Sequence, residues 1–105
     1  MTVAQIALAR RAVACKGWRW MPGMLTLDGF RLSHVDIDDP PDLTDPATLG
    51  CLLALVREAW ESPKANVSWV TDDKCMVVFD TGHAQRFLLG DSEGEALIVA
   101  LESAP

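Results

Sequence analysis

No stretch of this sequence approaches the ~20 consecutive apolar residues that a bilayer-crossing helix requires. The chain also lacks a Cys-x-x-Cys pair, a Gly-x-Ser-x-Gly nucleophile turn, a phosphate-binding loop and a dinucleotide-binding glycine fingerprint. Histidine is scarce, occurring only at His34 and His83. Cysteine is odd in number and widely spaced, at Cys15, Cys51 and Cys75, so neither a disulfide framework nor a zinc ribbon is indicated. Each thiol has small or apolar neighbours and reads as a small buried hydrophobe, reduced and metal-free. A nucleophilic cysteine would need a base beside it, and neither histidine adjoins one in the chain. In the opening segment, MTVAQIALARRAVACKGW, the arginines follow the apolar residues, the reverse of a secretory signal. The expected setting is the cytoplasm, with no membrane partner and no cofactor.

Basic charge is sparse beyond residue 31. Residues 1–31 carry a balance of +4 and residues 32–105 a balance of −10, giving a net charge of −6. With a sequence pI near 4.6, the molecule should repel phosphate backbones, because nucleic-acid affinity comes largely from basic groups displacing counterions. Direct DNA or RNA binding is therefore not expected. The same charge suits a protein that occupies the basic groove of a nucleic-acid-handling partner.

What the sequence does hold is an acidic run, DIDDPPDLTD, from Asp36 to Asp45. It has five aspartates, two prolines and no basic residue. Pro40 and Pro41 remove two backbone donors and keep the preceding residues extended, which makes this a connector. Aspartate is common in connectors because its side chain bonds nearby backbone amides. A solvated loop therefore competes with a partner-facing acidic surface built on Asp36, Asp38, Asp39 and Asp42. A calcium site is a weaker reading, since the glycine and spaced acceptors of an EF-hand loop are missing. Asp45 before Pro46 reads as a helix N-cap followed by the first helical position.

At 105 residues, with 50% hydrophobic and 23% charged content, the chain fits one domain over residues 1–105 with the connector at 36–45. The coarse order is αββαβββα, an α+β class. The first helix runs from a Thr2 cap through Cys15, with Val3, Ile6, Ala7 and Val13 at helical spacing. Residues 18–27 alternate in part around a Pro-Gly, and Asp28-Gly29 turns the chain into a return strand, FRLSHV. Pro46–Glu61 places Leu49, Leu52, Leu53, Val56 and Trp60 on one face, which predicts a helix across a sheet. Leu52, Leu53, Val56, Val77, Val78 and Phe79 should then share one core. The strands NVSWVT, with Val67 and Trp69 inward, CMVVFDT and AQRFLL form a meander. Ser92-Glu93-Gly94-Glu95 matches a capping box before the closing helix. The expected architecture is an antiparallel sheet of about five strands covered by three helices.

WMPGMLT, then PDLTDPATLGCLLALVREAW and the closing EALIVALESAP, together resemble small bacteriophage and prophage proteins. That group is described as an alpha-beta-alpha sandwich domain of phage origin. Its members largely lack assigned chemistry, so the resemblance transfers no site residues. It implies a phage-encoded accessory protein acting inside the host cell.

Three constellations bear on chemistry. His34, Asp36 and Asp38 alternate, so an extended backbone would project them to one side, as a metal or general-base cluster does. A strand end running into solvent explains the same pattern. Asp80 and His83 flank a turn whose local bonding accounts for both. Trp18 and Trp20, among Lys16, Arg19 and Arg31, could stack on a base or a partner's side chain, or pack in the core. The combined reading is a non-enzymatic protein that binds a host protein with a basic surface, in the manner of anti-CRISPR proteins or DNA mimics. The competing readings are a small metal-dependent or hydrolytic enzyme using His34 and nearby aspartates, and a homodimeric virion or assembly scaffold.

Overall fold

Local capping chemistry sets where each helix begins. Thr2 Oγ1 accepts from Gln5 N at 3.1 Å while Thr2 N donates to Gln5 Oε1 at 2.9 Å, a reciprocal capping box that starts α1, Val3–Ala14. Asp45 accepts from Thr48 N at 3.0 Å with Pro46 in the first helical position, starting α2, Pro46–Ala59. Ser92 Oγ accepts from Glu95 N at 3.1 Å, starting α3, Glu93–Glu102. The computed structural model describes residues 2–26, 40–80 and 85–104.

Between α2 and α3 run three strands, β1 (Asn66–Thr71), β2 (Lys74–Asp80) and β3 (Gln85–Gly90). They form one antiparallel sheet in the order β1-β2-β3. The fold is thus α+β with three helices, but the described residues form three strands rather than about five. Residues 18–25 are not a strand, because Pro22-Gly23 closes a turn in which Met24 N donates to Met21 O at 3.2 Å. Gly23 sits at φ +96°, where a side chain is disfavoured. What remains is one bridge, Thr26 to Pro41, reinforced by Asp42 N donating to Leu25 O at 2.8 Å. The expected return strand at 30–35 lies outside the described residues.

The helix that covers the sheet is α3, not α2. Gly94, Ala96, Leu97, Ile98, Ala100 and Leu101 are all buried, so α3 is apolar almost all round. A helix of that kind belongs at the centre. It packs on β2 and β3 on one side and on α1 and α2 on the other. The face of α2 turned into the core is Thr48, Leu52, Leu55 and Val56, about one residue's rotation from the expected face. Leu52, Val56, Val77 and Phe79 do share one core, whereas Leu53 and Val78 are only half-buried. In α1 the buried positions are Ala9 and Ala12. Val3, one of the four residues noted at helical spacing, is 85% exposed. The residues of α1 that are fully buried are thus small, while the larger Leu8 packs against the core half-buried.

Candidate functional site

Strand register shows why one part of the sheet stays open. Trp69 pairs with Cys75, and Cys75 with Gly90, so these three form one row on the inner face. At the β3 end a Cβ on Gly90 would lie 2.4 Å from Ala96 N, so the backbone of α3 rests directly on that strand. In the middle Cys75 is wholly buried. At the β1 end Trp69 is on the core side of the sheet yet 54% exposed. Its exposure follows from α3 lying chiefly over β2 and β3, so that among the described residues no helix covers the inner side of β1.

The uncovered strip is the floor of a groove. Its central cleft, of ≈ 350 Å³, is lined by Leu8, Leu43, Leu49 and Trp69 and rimmed by Asp42 and Glu93. Across Thr44, Leu49 and Glu93, which line both, it adjoins a stretch of ≈ 530 Å³ bounded by Leu53, Val67 and Leu97. Across Gln5, Leu8 and Ser92 it adjoins a further ≈ 360 Å³ along α1, lined by Arg11 and Glu95. The connector wall is held close because Gly94 has no side chain; a Cβ there would lie 3.0 Å from Leu43 O.

The electrostatics of the groove are one-sided. Asp42 is fixed in a turn, its Oδ1 accepting from Thr44 N at 2.9 Å and from Thr44 Oγ1 at 2.6 Å. Glu93 has no ion pair among the described residues. Among the described residues, the central cleft and the stretch toward Leu53 have no basic lining residue. Arg11, at the far end along α1, is bound to Glu102 at 2.7 Å, and that hydrogen bond raises its pKa.

Of the four expected contacts, only Asp42 is placed, at the rim of this cleft. Asp36, Asp38, Asp39, His34 and His83 lie outside the described residues. Among the described residues no group of three or more potential ligands could hold a metal. The Trp18–Trp20 platform is not formed. Trp20 is buried, Trp18 is half-buried, and the rings pack edge to face with centroids 5.5 Å apart. A second hollow of ≈ 510 Å³ lies between the ends of α1 and α3 and includes Cys15. Burial pushes the Cys15 thiol pKa up, which reduces its thiolate and argues against a nucleophile there. All three cysteines are free.

Sequence reasoning missed Leu8, Leu49, Trp69 and Glu93 as a set, having placed Leu49 and Trp69 in the core. The available signal was the pair of glycines, Gly90 and Gly94, bracketing the start of α3. They mark where the helix meets β3 and the connector, and so which strand is left uncovered. No protein-family model, curated protein or solved structure matches the chain. The likeness to phage proteins therefore stands on the quoted sequence segments alone.

Proposed function

We propose that this chain is a non-enzymatic accessory protein that binds a partner protein through the acid-rimmed groove between α1, α2, α3 and β1. The observation that carries this reading is Trp69, half-exposed on the core side of the sheet in a cleft where the described residues supply two carboxylates and no cation. Apolar anchors in such a cleft supply most of the binding energy, while the carboxylates select and steer a basic partner. With a pI near 4.6 the partner is a protein rather than a nucleic acid. The resemblance to phage proteins makes an inhibitor of a basic, nucleic-acid-handling host protein the specific form of this reading.

The test is parallel affinity capture from host lysate with wild-type protein and an Asp42→Asn, Trp69→Ala, Glu93→Gln variant, with bound proteins identified by mass spectrometry. A basic protein retained by the wild type and lost by the folded variant supports the groove. Equal retention by both overturns it.

A second reading, the homodimeric scaffold, is favoured by the outer face of the sheet. Met76, Val78, Phe87 and Leu89 adjoin there in register, and Phe87 and Leu89 are 54% and 56% exposed. Against it, two copies would each bring a net charge of −6. Light scattering decides: a dimer abolished by Phe87→Ser would favour the scaffold, and a monomer at high concentration would end it.

A further inference from the structure

Resting on the partner-binding reading, we infer that the groove takes an extended segment of its partner and that an arginine of that segment lies on Trp69. Three observations converge. First, the central cleft has a neighbouring hollow on each of two sides, sharing Gln5, Leu8 and Ser92 with one and Thr44, Leu49 and Glu93 with the other. That form fits a chain laid along it better than a compact small molecule. Second, an indole more than half exposed forms part of the central cleft, and a cation over an indole face is attracted by the ring quadrupole. The same geometry occurs within this molecule, where the Arg86 guanidinium sits 5.4 Å from the Trp60 ring centroid. Third, the charge balance decides the sign of the occupant. The start of α3 contributes a partial charge of about +0.5. Asp42 and Glu93 together contribute two full negative charges, so a cation is favoured over an anion.

Arginine fits better than lysine. Its planar guanidinium stacks on an aromatic face while its N–H groups reach carboxylates at the edge, and it sheds water more readily. Asp42 Oδ1 is already engaged by Thr44, so Glu93 and the remaining Asp42 oxygen are the acceptors on offer. On either side of this position Leu8 and the Leu49–Leu53 wall would take apolar side chains of the segment. The occupant is therefore an extended peptide with a central arginine flanked by apolar residues.

The experiment uses the whole chain and a blocked heptapeptide, Ala-Leu-Ala-Arg-Ala-Leu-Ala. Three counterparts carry lysine, citrulline or glutamate in place of arginine. Amide and indole signals are followed by two-dimensional NMR during titration. The arginine peptide should move the Trp69 indole and Glu93 amide signals. Lysine should weaken binding about 3- to 10-fold, citrulline at least about 10-fold, and glutamate should abolish it. Trp69→Ala should remove binding with its spectrum otherwise native, while Trp69→Phe keeps part of it. Citrulline binding as tightly as arginine overturns the arginine inference while leaving partner capture through the groove intact. Shifts confined to Phe87 and Leu89, or no shift with any peptide, overturn the placement itself. Loss of partner capture in the lysate experiment would instead remove the reading beneath it.

Discussion

The two halves of the inner sheet face are built from one continuous register but meet different neighbours. Over β2 and β3, Cys75, Val77, Phe79 and Gly90 are buried, with α3 packed on both strands and the Trp60 ring against Phe79. Over β1, Val67 and Trp69 look into a groove. Alternation along a strand therefore decides which side a residue faces, but not whether that side is covered. Coverage depends on where a helix of ten residues comes to rest. Here it rests where glycines let its backbone approach most closely.

The comparison breaks most directly at the core. Leu52→Ala removes a wholly buried side chain and should cost about 2–5 kcal/mol. Leu53→Ala, on the half-buried groove wall, should cost roughly 1 kcal/mol. Chemical denaturation of both variants measures the difference. Equal costs would mean that the groove wall is core after all.

The next effect tests the seal itself. Gly90→Ala would drive a Cβ to within 2.4 Å of the α3 backbone, which must then shift. A destabilisation of about 1–3 kcal/mol is expected, as for overpacking elsewhere. A variant as stable as wild type would show that α3 does not rest on β3 as described.

Smaller still is the cost of opening what is already open. Trp69→Ala should change stability by no more than about 1 kcal/mol, although tryptophan truncation in a core costs ~3–5 kcal/mol. A loss in the core range would return Trp69 to the interior and remove the groove. The smallest effect lies at the end of α2, where Glu61 adopts φ 51° and Ser62 N donates to Arg57 O at 2.8 Å. Glu61→Gly relieves that left-handed strain and should raise stability by about 0.5–1 kcal/mol, read as a small upward shift in Tm.

Helix starts were legible in the sequence because capping is local: Thr2 with Gln5, Asp45 with Pro46, and Ser92 with Glu95 each act within four residues. The three-strand meander was legible for the same reason, as its alternation and turns are short-range. Which helix covers the sheet was not. The striped pattern of α2 predicts a sheet-crossing helix, yet an all-round apolar α3 outcompetes it for the central place. The Trp18–Leu25 segment likewise resembles a strand by composition. Its Pro-Gly turn instead closes between Met21 and Met24, and the two indoles before it pack edge to face. The groove joins residues 8, 49, 69 and 93, which no local pattern links. Only Asp42 of the four expected contacts belongs to it, and there its carboxylate also has a structural task in the turn with Thr44.

The Trp18–Trp20 pair gives the molecule an optical signature. Two indoles edge to face at 5.5 Å are close enough for their electronic transitions to couple. Such coupling produces paired circular dichroism bands of opposite sign, distinct from the helix signal. Because Trp20 is buried beside the turn at Pro22-Gly23, those bands report the packing of a segment that contains neither helix nor strand. Their loss on heating, timed against the helix bands, would reveal whether this irregular segment unfolds with the core or ahead of it.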